Sequence, residues 1–182
     1  PRYGTPPHSH AQTDEPPPMT SETPPNVLAV LTDQQRWDTL GAYDSPMDLT
    51  PTLDRLAQRG TLVERAISPQ PVCRPFRAAF HTGQFATETG VWREGLELGE
   101  DRTTLAHRFA EAGYDVGFVG SWHLGGTFDE PVPTENRGGY DDFWRAADVP
   151  EFTSKPYEGH LYDEAGERVS FEKYRTDAFT DF

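Results

Sequence analysis

The chain has 182 residues, enough for one globular domain or a large part of a bigger one. Its 35% hydrophobic content can form a core without metals or disulfides, and its single cysteine excludes an internal disulfide. Thirty acidic residues against sixteen basic ones give a formal net charge of -14. Because nucleic acid and anionic membrane surfaces repel such a charge, neither is expected as a partner.

The amino-terminal stretch, residues 1–25, is rich in proline, serine, threonine and histidine and has almost no aliphatic side chains. This composition predicts a disordered tail, because it offers little apolar surface to bury. The longest aliphatic run of the chain, residues 27–31, is too short to cross a bilayer or to form the core of a signal peptide. We therefore expect a soluble, cytoplasmic protein.

The chain then alternates between predicted strands and helices. Residues 26–32 are predicted to form a buried strand, because the run is continuously apolar and is flanked by prolines and a polar cluster. Thr50 and Pro51 are typical of a helix start and Gly60 of a helix end, so a helix is predicted between them. Residues 61–68 are predicted to form a second strand.

Further elements are predicted as a helix at 103–112, a strand at 114–119, a hairpin at 157–172 and the start of a helix at 174–182. A glycine-rich loop at residues 120–126 follows the strand. Alternating strands and helices predict an α/β sandwich with a mainly parallel sheet. Functional sites of such sheets gather beyond the carboxyl ends of the strands.

The surroundings of Cys73 indicate a reaction centre. Pro75 fits the first turn of a helix and Arg77 adds a cation one turn further on, and both features favour an anion at position 73. Asp33, Cys73 and His123 each follow a predicted strand, so we expect them to converge at one edge of the sheet. The spacing alone leaves an alternative open, in which the cysteine is a small buried hydrophobe.

Five segments of the chain resemble the amino-terminal part of type I sulfatases, in the order of that family. They are residues 25–41, residues 50–57, a Cys-x-Pro-x-Arg motif at 73–77, a Gly-Ser-Trp-His-Leu-Gly loop at 120–125 and residues 174–177. The resemblance implies an alkaline phosphatase-like α/β fold with a mainly parallel central sheet. It also implies that residues 26–182 are the amino-terminal part of a catalytic domain that is truncated at its carboxyl end.

The resemblance further implies roles for individual residues. Cys73 would be oxidised to formylglycine by a formylglycine-generating enzyme, which is therefore an expected partner, and would serve as nucleophile and metal ligand. Arg77 would hold the formylglycine oxygens, and His123 would assist the elimination of sulfate. Asp33 and Gln34 match the first metal-binding pair of the family. Their oxygens suit a hard divalent cation, with Ca²⁺ as the expected ion and Mg²⁺ or Mn²⁺ as alternatives.

The chain departs from the family pattern at three points. Phe76 replaces the small residue usual inside the cysteine motif, and Ser121 replaces a sulfate-binding lysine, which leaves substrate binding there to a neutral hydroxyl. The remaining metal ligands of the family, an Asp followed by Asn or His, have no match in the sequence. Ordinary structural roles also stay open: a turn carboxylate for Asp33, a salt-bridge partner for Arg77 and a loop-capping residue for His123.

These observations predict the hydrolysis of a small-molecule or saccharide sulfate ester by a metal-dependent sulfatase whose catalytic site is incomplete in this chain. A phosphonate or phosphate ester hydrolase of the same superfamily is the closest alternative. A truncated, non-catalytic fragment is the alternative from another class. We expect the isolated chain to have little or no hydrolase activity.

Overall fold

The computed structural model describes residues 24–182, which divide into two compact units. Unit 1 ends at Glu64, and unit 2 runs from Arg65 to Phe182. Residues 1–23, the larger part of the expected disordered tail, lie outside the described residues. None of the helices between residues 24 and 182 has the length and the apolar character needed to span a membrane.

The described part of unit 1 contains one α-helix, α1 (Pro51–Arg59). Pro51 occupies the first turn, where a missing N–H group costs no intrahelical hydrogen bond. The backbone N–H of the cap residue Gly60 donates to the carbonyl oxygen of Leu56 over 2.9 Å and ends the helix. The helix predicted between Thr50 and Gly60 is therefore confirmed.

Two predicted strands are wrong. Residues 26–32 have no regular secondary structure, and the side chains of Leu28 and Val30 are 88% and 78% exposed. Residues 61–68 form a turn and irregular backbone instead of a strand. A buried parallel strand needs hydrogen-bonded neighbours, and no strand described between residues 24 and 182 pairs with either segment. The apolar composition of a segment therefore does not suffice to make it a strand.

Unit 2 carries the remaining helices and all the described strands. In chain order they are α2 (Cys73–Thr82), α3 (Ala86–Thr89), α4 (Leu105–Glu111), β1 (Gly117–Ser121), β2 (Phe143–Ala147), α5 (Pro150–Thr153), β3 (Ser154–Lys155), β4 (Glu158–Tyr162), β5 (Arg168–Phe171) and α6 (Arg175–Asp181). The helices predicted at 103–112 and 174–182, the strand near 114–119 and the hairpin at 157–172 correspond to α4, α6, β1 and β4–β5.

The five strands form one mixed sheet. Strands β1 and β2 are parallel, with Gly117 opposite Phe143 and Ser121 opposite Ala147. Strand β4 pairs antiparallel with β2, β3 and β5. The α/β class is confirmed, but the expected mainly parallel sheet is not what the described residues form, because one of their four strand pairs is parallel and three are antiparallel. The β3–β4 and β4–β5 pairs are antiparallel because short connections between these strands reverse the chain direction.

Five aromatic side chains form a cluster in the core of unit 2; they are His81, Phe118, Trp122, Tyr140 and Trp144. Trp122 and Trp144 are fully buried, with ring centroids 5.7 Å apart. The ring of His81 lies 4.8 Å from that of Trp122, and its Nδ1 lies 3.0 Å from the hydroxyl of Tyr140. Packing of this kind fixes helix α2 against the end of β1.

His81 makes the stability of unit 2 sensitive to acid. Burial, together with the charge of Arg77, lowers the pKa of His81 from 6.5 to about 4. Between these values the unfolded chain binds a proton that the folded protein does not, so stability is full above pH 6.5 and falls as the pH drops towards 4. We predict a loss of about 3 kcal/mol from this residue across that window.

Urea unfolding at a series of pH values measures this loss. The variant His81→Leu should flatten the pH dependence of the unfolding free energy between pH 6.5 and 4, because it has no proton to bind. His107→Gln is the matched control: His107 caps α4 through Thr104, and glutamine can replace it in that capping box. If the unfolding free energy of His81→Leu depends on pH as strongly as that of the unsubstituted protein, the prediction is wrong.

Candidate active site

Helix α2 presents Cys73 at its first position. The preceding residue, Val72, has extended backbone geometry, and Pro75 lies in the first turn. Gly83 ends the helix with a φ of +69°, a conformation that glycine adopts without strain. Cys73 is exposed. Because residues four apart share one face of a helix, Cys73 and Arg77 lie on the same side of α2.

Arg77 connects this face of α2 to the end of strand β1. Its side chain is buried, and its Nη1 donates a hydrogen bond of 2.6 Å to the backbone carbonyl oxygen of Ser121. Ser121 is the last residue of β1 and pairs with Ala147 of β2. The structure therefore brings the Cys73–Arg77 face of the helix to the carboxyl end of the parallel pair of strands, where sites of α/β proteins form.

His123 follows two residues later in a left-handed backbone conformation, with a φ of +61°. Neither of its buried ring nitrogens has a hydrogen-bond partner among the described residues, and Nε2 lies 4.0 Å from a carboxylate oxygen of Glu151. Burial and the positive charge of Arg77 lower the pKa of His123, against the opposing effects of Asp148 and Glu151. The imidazole is therefore neutral at neutral pH and can accept a proton.

Sequence reasoning missed a buried ion pair beside these residues. The side chain of Asp148 is fully buried and accepts hydrogen bonds from the backbone N–H groups of Gly125 and Thr127, over 2.8 and 3.1 Å. Nη2 of Arg74 lies 3.3 Å from the same carboxylate, and Nε of Arg74 lies 3.3 Å from Glu94. The available signal was the position of Asp148 directly after a strand, β2.

Asp33 and Gln34 lie in unit 1, whereas the other predicted site residues lie in unit 2. Both side chains are exposed at a bend, and Gln34 has a φ of +53°. Their convergence with Cys73 and His123 stays a prediction. A carboxylate and an amide oxygen suit a hard cation, but no group of three His, Cys, Asp or Glu side chains within residues 24–182 could hold a metal ion. The pair can therefore supply only part of a coordination shell.

Comparison with known proteins assigns the family. The family model described as sulfatase matches residues 25–182 of this chain. The chain belongs to the sulfatase family. It is 35% identical over 162 residues to the ulvan-active sulfatase of Formosa agariphila, covering 88% of this chain and 30% of that protein. It is 36% identical over 115 residues to arylsulfatase A of Bos taurus, covering 59% of this chain and 22% of that sulfatase.

Solved structures show the same fold. The Bacteroides fragilis protein YidJ, described as a sulfatase, superimposes with a TM-score of 0.69 at 24% identity, covering 78% of this chain and 35% of that chain. A protein solved in complex with its substrate D-glucosamine-2-N,6-O-disulfate gives a TM-score of 0.66 at 24% identity, over 79% and 27% of the two chains. The fold is alkaline phosphatase-like, and this chain spans about a third or less of these relatives.

Proposed function

We propose that the protein hydrolyses sulfate esters with a nucleophile made from Cys73. The observation that carries this proposal is the geometry at the start of α2. Cys73 and Arg77 share a helix face, and Arg77 is bound to the backbone of Ser121, two residues before His123. Family membership supports the assignment of sulfate as the transferred group. The chain covers 30% of the length of the ulvan-active sulfatase and 22% of that of arylsulfatase A, so the activity is proposed for the complete protein.

The thiol of Cys73 cannot itself complete the reaction, because a sulfated thiol has no second group with which to expel sulfate. Formylglycine at this position would supply, as its hydrate, one hydroxyl to attack sulfur and release the alcohol and another whose deprotonation expels sulfate and restores the aldehyde. The exposure of Cys73 and its place at a helix start support this role.

Arg77 and His123 would act on this nucleophile. The guanidinium of Arg77 is buried and lies on the Cys73 side of α2, so it can stabilise negative charge that develops there. The neutral imidazole of His123 can take the proton of the second hydroxyl. The hydroxyl of Ser121 would bind a sulfate oxygen. It would supply one hydrogen bond in place of the positive charge of the lysine that the family pattern has at this position.

Asp33 and Gln34 would hold part of a divalent metal site, for which Ca²⁺ is the expected ion. When bound, such an ion supplies Lewis-acid polarisation of the sulfate oxygens and favours the ionised nucleophile. The oxygen-only donor pair fits a hard cation. Formylglycine at position 73 would be a further ligand from this chain, since residues 24–182 contain no group of three acidic, His or Cys side chains that could hold a metal by themselves.

We propose a sulfated saccharide as the substrate. One relative is named as active on ulvan, another as an N-acetylgalactosamine-6-sulfatase, and a structural neighbour was solved with a glucosamine disulfate. Because the formal net charge of the chain is -14, an anionic substrate needs a local cation at the site, and the guanidinium of Arg77 supplies one. Hydrolysis of aryl sulfates would follow from the same chemistry.

The modification of Cys73 provides the direct test. The complete protein is co-expressed with a formylglycine-generating enzyme, and the peptide that contains Cys73 is analysed by mass spectrometry. We expect the mass decrease that accompanies conversion of CH₂–SH to CHO, together with hydrolysis of an aryl sulfate in preference to an aryl phosphonate. Cys73→Ala should show neither. Full turnover by Cys73→Ala, or by protein whose thiol is intact, would contradict the proposal.

A further inference from the structure

We propose that Asp148 is a positioning residue that fixes the loop carrying His123 against the helix that begins with Cys73. The inference takes the catalytic role of His123 from the proposed function. The placement of the loop by Asp148 is argued from hydrogen bonds and an ion pair and does not depend on that function. Asp148 acts through the backbone of the loop at residues 122–127, called here the His123 loop, and through the side chain of Arg74.

The carboxylate of Asp148 binds the carboxyl-terminal half of the His123 loop. Oδ1 accepts the backbone N–H of Gly125 over 2.8 Å, and Oδ2 accepts that of Thr127 over 3.1 Å. The side chain is fully buried, so no water competes for these bonds. A buried carboxylate whose oxygens accept two backbone N–H groups of one loop holds that loop in a single conformation.

The backbone around Asp148 binds the other half of the same loop. Its carbonyl oxygen accepts the N–H of His123 over 2.8 Å, and the carbonyl oxygen of Ala147 accepts the N–H of Trp122 over 2.9 Å. These bonds continue the parallel pairing of β1 and β2 beyond the last strand residues. They also restrain His123 in its left-handed conformation, which a non-glycine residue keeps only when its surroundings impose it.

Arg74 extends this connection to the nucleophile. It directly follows Cys73, its side chain is buried, and its Nη2 lies 3.3 Å from Oδ2 of Asp148. Its other contacts are the carboxylate of Glu94 at 3.3 Å and the carbonyl oxygen of Leu96 at 3.4 Å. A buried ion pair stabilises a protein little more than a well-packed apolar pair does. We therefore attribute the Arg74–Asp148 pair to the positioning of these two residues and not to stability. It sets the position of the residue beside Cys73 relative to the His123 loop.

The test compares Asp148→Asn with Asp142→Asn in the complete protein. Asp142 is the matched control because it stands directly before β2, as Asp148 stands directly after it, and its Oδ2 also accepts a backbone N–H, that of Val116, over 2.8 Å. In Asp148→Asn we expect faster amide hydrogen exchange at Gly125 and Thr127, because an amide cannot accept from both N–H groups and pair with Arg74. Asp142→Asn should leave exchange in the His123 loop unchanged.

A second measurement reports on the imidazole itself. Diethyl pyrocarbonate acylates accessible neutral imidazoles, and peptide mass spectrometry can follow its reaction with His123, whose ring nitrogens are buried. The reaction should be faster in Asp148→Asn and unchanged in Asp142→Asn. For sulfate esters, kcat of Asp148→Asn should fall by about 10- to 100-fold with little change in KM, because a displaced catalytic group lowers the rate more than it lowers binding.

Arg74→Lys keeps the inference testable if Asp148→Asn does not fold. Lysine retains the charge but cannot reach Glu94, Asp148 and the Leu96 carbonyl together, so a smaller change in the same direction is expected. Unchanged exchange and unchanged reactivity of His123 in a folded Asp148→Asn or Arg74→Lys would overturn the inference. Absence of sulfatase activity in the complete, unsubstituted protein with formylglycine at position 73 would overturn the proposed function instead, while exchange and acylation would still decide the role of Asp148.

Discussion

Arg77→Gln is expected to lower kcat for sulfate esters by about 100- to 1,000-fold, the usual cost of removing one donor that stabilises charge in a transition state. Arg77 is a buried cation on the helix face of Cys73, and glutamine removes its charge while keeping a polar group. The hydrogen bond to the carbonyl oxygen of Ser121 would be lost or lengthened, because glutamine is the shorter side chain. Steady-state kinetics on the complete protein measures the effect.

The same variant should raise the pKa of His123, because the charge of Arg77 is one of the causes that lower it. Histidine NMR as a function of pH measures that change independently of turnover. Arg108→Gln is the control, since Arg108 is exposed on α4 and pairs with the exposed carboxylate of Glu111. If Arg77→Gln and Arg108→Gln retain the same kcat, Arg77 has no part in the chemistry.

Trp122→Ala is expected to lower the free energy of unfolding by about 3 to 5 kcal/mol, the range for a buried tryptophan replaced by alanine. Trp122 is fully buried in the aromatic cluster, against His81 and Trp144. Its Nε1–H donates to the carbonyl oxygen of Asn136 over 2.9 Å, and that acceptor would lose its partner. The substitution therefore combines a cavity with the loss of a partly buried hydrogen bond.

Urea unfolding followed by circular dichroism measures this change. Trp92→Ala is the matched control, because the side chain of Trp92 is 58% exposed and its truncation leaves no buried cavity. A cost for Trp122→Ala no larger than that for Trp92→Ala would show that the aromatic cluster contributes little. Because Trp122 stands between Ser121 and His123, its loss should also increase hydrogen exchange in the His123 loop.

The helices could be predicted from the sequence because their start and end signals are local. Pro51 and Gly60 lie at the two ends of α1, and Thr104 caps α4 through a hydrogen bond from the N–H of His107. Each signal acts within one turn of its helix, so no distant part of the chain is needed to interpret it. The hairpin of β4 and β5 was predictable for the same reason, since its turn is closed by Asp163.

The strand predicted at residues 26–32 could not be judged from composition, because a strand exists only when another strand pairs with it. Its apolar side chains are exposed, Leu28 among them, and no described strand pairs with it. Strand β1, in contrast, pairs with β2 along its whole length, from Gly117 to Ser121. The difference between the two segments lies in their partners and not in their own residues.

The residues of the candidate site also differ in how far the sequence alone predicts them. Cys73, Arg77 and His123 could be proposed from the sequence because they stand in short motifs. Asp148 was missed because its partners come from segments far apart in the chain, from Arg74 to Thr127, and only the fold brings them together. Such a residue has no motif of its own, so its role becomes visible only once its hydrogen bonds are known.

The left-handed backbone of His123 has a consequence for protein engineering. A non-glycine residue with this geometry costs about 1 to 2 kcal/mol, whereas glycine adopts it without strain. Glycine at position 123 would therefore relax the loop while removing the imidazole, and a library screened for heat resistance alone would favour it. Selection for thermostability would then eliminate activity without any sign of misfolding, so such a screen needs a parallel assay for turnover.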